Sequence, residues 1–325
     1  MILEANTRYW DKNRAPRLRR IVFENARSQK EAVDLVKSGE GRVDVVTDLS
    51  PLETLRVAES PFAMVVKKRG TPASVFGRFN MLKAGSPWTD VRLRQAANLA
   101  INRADLIQYG ANGNGLIIPA LVPGIRDPGI VPYPFDAGRA RKLLREAGHP
   151  NGLSITLIAP QDLQAQATVV GKMLDQAGFK TMLQTLDATS YSQKTLLSHL
   201  DQPVEKQTWD IALATSFNAL NFPLYDLYHW YAIDGPEDWV TEQPELRRLY
   251  DETLGTVDHA KQQDLLRRME RHTHEQAYFL FLYNPVRLHA VNRGVKYVPY
   301  AGWTRLAETS VTDQHWSVRR SDGKK

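Results

Sequence analysis

The first seventy residues alternate between short apolar runs and amphipathic stretches. Residues 20–24, 43–46 and 62–66 have the length and composition of strands. Residues 28–37 and 52–57 have the spacing of helices. Strands and helices therefore follow one another as β-α-β-α-β, which is the order of a sheet flanked by helices.

A long helix is predicted from Thr89 to the glycine-rich stretch 110–115. Thr89 can cap its start. Small and apolar residues then recur at steps of four and three along one face: Leu93, Ala97, Ala100, Ala104 and Ile107. Because the glycine-rich stretch follows a helix and lacks the Lys-Ser/Thr of a phosphate loop, it argues against nucleotide binding there.

Two helix-glycine-strand units come next. Asp136 can cap the first helix, Gly148 stops it, and residues 153–158 form its strand. Residues 163–177 repeat the pattern, with Gly178 as the stop and a strand over 180–186. These units predict a second α/β sheet.

The remaining elements are read from the same periodicities. Strands are predicted over 209–214 and 278–283, and helices over 244–254 and 258–274. Extended structure resumes at residues 287–291.

Composition narrows the class of protein. The chain has 325 residues, of which 42% are hydrophobic and 24% charged, as in an ordinary globular protein of about two domains. It has no cysteine, no apolar run long enough to span a bilayer, and an opening that runs into polar sequence, so any export signal would lie upstream or be absent. The net charge is +6. Basic residues cluster in residues 8–20 and are otherwise dispersed among acidic ones, and no zinc-finger spacing or RNA-binding aromatic motif occurs, which argues against nucleic acid as a partner.

The motifs of catalysis and metal binding are absent from the sequence. No G-x-S-x-G, H-E-x-x-H or phosphate loop occurs. His272 and His274 lie two positions apart on a predicted helix, so they point to different faces. We therefore predict no enzyme, no cofactor and no metal site.

Four segments in order resemble the bacterial extracellular solute-binding proteins of family 5, which include oligopeptide-, dipeptide- and nickel-binding members. Residues 3–10 read L-E-A-N-T-R-Y-W, and residues 36–44 read V-K-S-G-E-G-R-V-D. Residues 87–103 contain P-W-T-D-V-R-L-R-Q-A and A-I-N-R, and residues 135–152 contain F-D-A-G-R-A-R-K-L-L-R-E-A-G-H-P-N-G. Each segment is weak alone, and their shared order makes the resemblance specific.

The resemblance implies an α/β fold of the periplasmic-binding-protein type II, with two lobes that close on a ligand. Here one lobe would be nearly complete and the other partial, because the chain begins at what would be the middle of a family member. Residues 1–72 would be part of lobe I, and residues 73–290 would form lobe II with the ligand-cleft half. Residues 291–325 would return to lobe I and form the tail.

The resemblance also implies a ligand-binding segment that follows the strand opened by Trp209 and Asp210. Peptide-binding members carry an Asp three residues after an aromatic, and this chain has Leu220 three residues after Phe217, so the usual anchor for a peptide amine is missing. The strand crossing between lobes and an arginine near the second crossing add further candidates. The predicted ligand-binding residues are Phe79, Asn80, Phe217, Asn218, Asn221, Tyr225, Trp230 and Arg287. The alternative is that the aromatic residues pack a core and that Arg287 is simply solvated.

By this resemblance the protein is a periplasmic or extracellular-facing component of an ABC importer. It would act as a monomer, capture a peptide or peptide-like solute, and deliver it to a membrane permease. The alternative is the ligand-sensing domain of a transcription regulator built on the same fold.

Overall fold

The computed structural model describes residues 1–26, 28–39, 41–117, 127–217, 228–229, 235–241, 244–300, 302, 304 and 306–319. The chain forms two compact units, a smaller one of Met1–Thr71 with Val286–Lys325 and a larger one of Pro72–Pro285. The sequence predicts that lobe II extends from residue 73 to residue 290. Residues 286–290 instead lie in the smaller unit, because the strand that begins at Arg287 pairs with two strands of that unit.

The described residues form strands and helices in alternation, which agrees with the predicted α/β class. The strands are β1 (Ile2–Glu4), β2 (Arg20–Val22), β3 (Val45–Val46), β4 (Ala63–Lys68), β5 (Ala73–Phe79), β6 (Gly115–Leu116), β7 (Leu153–Pro160), β8 (Phe179–Leu186), β9 (Ile211–Phe217), β10 (Phe279–Pro285), β11 (Arg287–Asn292), β12 (Val295–Lys296) and β13 (Ser310–Val311). The helices are α1 (Gln29–Ser38), α2 (Glu53–Ala58), α3 (Val91–Ala100), α4 (Arg103–Asp105), α5 (Ala137–Glu146), α6 (Gln164–Gln176), α7 (Ala188–Thr195), α8 (Pro244–Leu254), α9 (His259–Glu275) and α10 (Trp316–Arg319).

The smaller unit is built on an antiparallel sheet of order β3-β11-β4. Apolar side chains of α1 and α2 pack with those of β11 to form its main core, which includes Val33, Val36, Val57, Leu288 and Ala290. A second apolar cluster joins Val291 of β11 to Val295 and Tyr297 of the returning chain. The two clusters contain residues of opposite parity along β11, as the alternation of side chains in a strand requires.

The larger unit is built on a six-stranded sheet of order β6-β10-β5-β9-β7-β8. Strand β7 is parallel to both β8 and β9, and β5 is antiparallel to its neighbours β9 and β10. One large core joins side chains of this sheet to those of helices α3, α5, α6 and α9. It includes Leu93, Leu144, Val170 and Leu265. Every residue of β5 is buried, because β5 lies in the interior of the sheet.

The predicted single helix from Thr89 to residue 110 is wrong in two respects. Asp90 is the N-cap, since its carboxylate accepts the backbone N–H of Arg92 at 2.8 Å. Helix α3 ends at Ala100 because Ile101 has an extended backbone (φ −93°, ψ 113°). The chain then restarts a helix whose N-cap is Asn102 and whose last turn, Leu106–Gly110, is a π-helix.

Two arginines of the 87–103 segment are buried and bind main-chain carbonyls. Arg94 donates to Trp88 O at 2.5 Å and to Gln276 O at 3.0 Å. Arg103 donates to the carbonyls of Phe281 and Tyr133, each at 2.9 Å. Burial lowers the pKa of both guanidinium groups to about 10, so they remain charged at neutral pH. Arg94 thus ties α3 to the end of α9, and Arg103 ties α4 to the strand β10.

None of the helices in the described part of the chain combines the length and apolar composition that a bilayer span requires.

The imidazole of His274, in the last turn of α9, makes the larger unit sensitive to acid. Its ring centroid lies 4.6 Å from that of Tyr133 and 5.2 Å from that of Phe281. Burial, and to a lesser extent the positive charge of Arg103, lowers the pKa of His274 to about 4. An unfolded histidine binds its proton near pH 6.5, so the unfolded state takes up protons preferentially below that pH. Stability from this group is complete above pH 6.5 and declines as the pH falls toward 4.

We therefore expect wild-type protein to lose more stability between pH 7 and pH 5 than the variant His274→Phe, which keeps the ring contacts and cannot titrate. Urea unfolding at both pH values measures the difference. His259→Gln, at an exposed position on the same helix, is the control and should behave as wild type. Equal losses in wild type and His274→Phe would show that His274 is not the titrating group.

Candidate functional site

One edge of the six-stranded sheet collects the carboxyl ends of its parallel strands. Because β8, β7 and β9 run in the same direction, they end together at Leu186, Pro160 and Phe217. Strand β5 runs the opposite way, so its first residue, Ala73, pairs with Phe217 at this edge. We call this the carboxyl-end edge. Open α/β sheets bind ligands just outside such an edge, which makes it the candidate site.

Hydroxyl and amide groups line the end of the sheet where β5, β9 and β10 meet this edge. Thr215 is exposed, whereas residues 211–214 and Ser216 of the same strand β9 are buried. Ser216 Oγ accepts the backbone N–H of Ser74 at 3.2 Å. Asn284 donates from Nδ2 to Ala73 O at 2.7 Å, and among the described residues its Oδ1 has no hydrogen-bond partner. Ser216 and Asn284 are each only 1% exposed, so Thr215 is the group of this set that offers a hydrogen bond to a polar solute.

A shallow pocket lies on α7, the helix that begins directly after β8. Its volume is about 530 Å³, and the residues that line it are Ala188, Thr189, Ser192, Gln193 and His199. Ser192 Oγ and His199 Nδ1 are 3.0 Å apart, within hydrogen-bond distance. Another shallow pocket, of about 580 Å³, adjoins the first residues of β7 and β8 at the opposite edge of the sheet. The pocket on α7 is thus the one that adjoins the carboxyl-end edge.

The far end of α7 is fixed by three side-chain donors. Trp209 Nε1 donates to Lys194 O at 2.8 Å. Trp239 Nε1 and Arg78 Nη1 both donate to Thr195 O, at 2.8 and 3.3 Å. The last carbonyls of a helix have no partner within the helix, so these bonds satisfy them and hold α7 against the sheet.

Arg78 is the centre of a buried polar network beneath α7. Its side chain is 2% exposed and pairs with Glu237 Oε2 at 2.5 Å. It also donates to the Tyr191 hydroxyl at 2.9 Å, and that hydroxyl donates to Leu213 O on β9. Burial alone would lower the pKa of Arg78, but Tyr191 and Glu237 outweigh it and the pKa is raised. The charged guanidinium therefore connects α7, β9 and the chain at Glu237.

With this geometry established, comparison with known proteins identifies the family. The model of the bacterial extracellular solute-binding proteins, family 5 (middle), matches residues 1–237 of the 325. The chain belongs to family 5. The glutathione-binding protein GsiB of Pectobacterium atrosepticum is 27% identical over 191 residues, which are 57% of this chain and 36% of that protein. The chain thus spans about a third of the length of this family 5 relative.

Solved structures of family 5 proteins share the fold. The ABC transporter substrate-binding protein CtaP of Listeria monocytogenes superposes with a TM-score of 0.81 at 18% identity, over 96% of this chain and 64% of that one. The periplasmic binding protein DppA of Helicobacter pylori, in complex with the peptide STSA, gives a TM-score of 0.76 at 19% identity, over 95% and 60%. These likenesses confirm the predicted α/β fold of the periplasmic-binding-protein type.

Of the family 5 ligand contacts predicted from sequence, one reaches the carboxyl-end edge. Phe217 is the last residue of β9 and ends at that edge. Asn218, Asn221, Tyr225 and Trp230 lie outside the described residues. Thr215 is not among the residues predicted from sequence, although its place as a polar residue directly after the apolar run 211–214 is a signal for it.

Phe79 and Asn80 lie at the other end of β5, about 20 Å from Ala73 at about 3.3 Å per residue. Phe79 is 1% exposed, and its ring stacks on Trp88 with the centroids 4.6 Å apart. Asn80 is fully buried and bonds Trp209 O at 3.1 Å and the backbone N–H of Lys83 at 3.0 Å. Both side chains serve the core of the larger unit, which gives no support to their prediction as ligand contacts.

Arg287 lies in the smaller unit, at the first position of β11. Its guanidinium makes a two-pronged ion pair with Asp48, from Nε to Oδ1 at 2.6 Å and from Nη2 to Oδ2 at 2.8 Å. Nη1 also donates to Gly302 O at 3.2 Å. Over the described parts of both units, no three His, Cys, Asp or Glu side chains are grouped as metal ligands.

Proposed function

We propose that the protein is the solute-binding component of an ABC importer, which captures a small solute and delivers it to a membrane permease. The observation that carries the proposal is the family 5 match over residues 1–237. The carboxyl-end edge, with its exposed hydroxyl at Thr215 and its pocket on α7, supports it, because such an edge is where α/β folds bind ligands. None of the relatives reported above points to a transcription regulator.

The solute that we propose is a peptide or peptide-like compound. One relative is named for glutathione, and one structural neighbour holds a four-residue peptide. The exposed hydroxyl of Thr215 suits the amide groups of such a solute, since a hydroxyl can both donate and accept hydrogen bonds. Phe217, Asn218, Asn221, Tyr225 and Trp230 remain our proposed contacts, together with Thr215.

The remaining features of the proposal follow from the family. The relatives reported are substrate-binding proteins rather than enzymes, and the family is described as extracellular. We propose the same for this protein, acting as a monomer on the periplasmic or outer side of the membrane.

A thermal-shift screen tests the proposal directly. A solute that binds the folded state alone, at one hundred times its dissociation constant, stabilises it by about 2.7 kcal/mol. For a unit of some 200 residues we expect the melting temperature to rise by about 5–10 °C. The solutes to test are glutathione, the peptide STSA, mixed tripeptides and a nickel chelate.

Two variants locate the binding site in that screen. Thr215→Val should reduce the shift, because it removes an exposed hydroxyl while keeping the shape of the side chain. Thr168→Val, at an exposed position on α6, is the matched control and should leave the shift unchanged. If no solute of these classes raises the melting temperature, the proposed transport function is wrong.

A further inference from the structure

The ion pair between Arg287 and Asp48 has the form of a carboxylate-binding site already occupied by a side chain. Both carboxylate oxygens face the guanidinium, at 2.6 and 2.8 Å. Such a planar two-pronged arrangement is the strongest way in which a protein binds a carboxylate. A carboxylate of another molecule can make the same two bonds to the guanidinium.

The two partners differ in how far they reach into solvent. The side chain of Arg287 is 13% exposed, whereas that of Asp48 is 52% exposed. The guanidinium of Arg287 is thus the buried partner, and the carboxylate of Asp48 lies between it and solvent. A second carboxylate can therefore approach from solvent and replace Asp48 without exposing the arginine.

A second cation lies beside the guanidinium. Lys68 of β4 is directly opposite Arg287 in the antiparallel register. Like charges at directly opposite positions of two strands repel each other. Among the described ion pairs, Asp48 binds Arg287 and none includes Lys68. Of these three side chains two are positive and one is negative, which favours a further anion.

The backbone around Asp48 is held by bonds that do not use its carboxylate. Gln29 Nε2 donates to Asp48 O at 2.9 Å, and the next residue, Leu49, donates its N–H to Leu288 O at 2.8 Å. Asp48 itself has a left-handed backbone (φ 58°), a conformation that Asp and Asn adopt more readily than other residues. Asp48→Asn should therefore keep the turn intact while removing the charge.

We propose that Arg287 recognises a carboxylate of the transported solute, that Asp48 is the counter-ion the solute displaces, and that Lys68 adds to the attraction. This assignment rests on the proposed function and narrows it to solutes with a free carboxylate, such as a peptide C-terminus. It makes Asp48 a competitor of the solute, so removing its charge improves binding.

The test compares the peptide STSA as the free acid and as the C-terminal amide, by calorimetry at low salt. Arg287→Gln should weaken binding of the free acid about tenfold or more and leave binding of the amide nearly unchanged. Asp48→Asn should tighten binding of the free acid several-fold. Asp34→Asn is the matched control, since Asp34 pairs with Arg56 on the same unit and its side chain is 50% exposed. It should bind as wild type.

A second measurement does not depend on that peptide. Titration with sodium acetate, followed through the side-chain Nε–H resonance of Arg287, should show tighter binding to Asp48→Asn than to wild type. If Asp48→Asn binds neither acetate nor the free acid more tightly, or if Arg287→Gln weakens acid and amide alike, the assignment is overturned. Wild-type protein that binds acetate at Arg287 and no peptide would instead contradict peptide transport while supporting the carboxylate site.

Discussion

Asp210→Ala should lower the free energy of unfolding of the larger unit by about 3–5 kcal/mol, the usual cost of breaking a buried ion pair. The carboxylate of Asp210 accepts bonds from Lys83 Nζ at 2.5 Å, Trp88 Nε1 at 3.1 Å and the backbone N–H of Thr156 at 2.8 Å. Alanine leaves all three donors without this acceptor and leaves the ammonium of Lys83, 17% exposed, without its counter-charge. In urea unfolding followed by tryptophan fluorescence, we expect the midpoint to fall by about 1–2 M.

One further variant separates charge from shape at position 210, and another serves as a control elsewhere in the unit. Asp210→Asn keeps the size and can still accept the backbone bond, so it should lose less than alanine. Asp162→Ala, at an exposed aspartate of the same unit, should stay within about 0.5 kcal/mol of wild type. A midpoint for Asp210→Ala within 0.3 M of wild type would mean that the carboxylate does not hold β9 against β7.

The helices that the sequence predicted best are α5 and α6, which are both followed by a left-handed glycine. Asp136 caps α5 through the N–H of Arg139 at 2.8 Å, and Gly148 follows its end with a φ of 93°. Gly178 follows α6 with a φ of 101°. A short polar side chain and a left-handed glycine act within a few residues, so their effect is legible in sequence.

The end of α3 at Ala100 could not be predicted from the sequence in the same way. The apolar spacing continues through Ala104 and Ile107, and a pattern of this kind does not report a change of direction. Arg103 binds the carbonyls of Asn98 and Ile101, both at 3.3 Å, and so compensates for the bonds lost where the helix stops. Tertiary bonding of a buried arginine thus overrides the local pattern.

The candidate site was predictable only where it follows from strand direction. The sequence predicts a strand over 209–214 and so places Phe217 just beyond its end, but the contacts that shape the edge join residues far apart. Arg78 and Glu237 are 159 residues apart, and Arg287 and Asp48 are 239 apart. Such pairs depend on strand register, which a single sequence does not reveal. The same limit explains Phe79 and Asn80, whose burial depends on β5 being an interior strand.

Glu237→Gln should cost the larger unit about 3 kcal/mol, because it removes the carboxylate that pairs with the buried charge of Arg78. The double variant Arg78→Met with Glu237→Leu should recover most of this loss, since it removes the charge and the carboxylate together. Tyr191 keeps its bond to Leu213 O and Thr195 O keeps its bond from Trp239 in both variants, so α7 retains part of its anchorage.

Ligand binding by the same variants then shows whether the Arg78 network also positions α7 for the solute. If the Arg78 network positions α7 at the carboxyl-end edge, the double variant regains stability in urea while its affinity for solute stays below that of wild type. Glu205→Gln, at an exposed glutamate of the same unit, is the control for both measurements. If the pair is only structural, stability and affinity should recover together in the double variant. Full recovery of both would therefore show that Arg78 stabilises the core and has no role in binding.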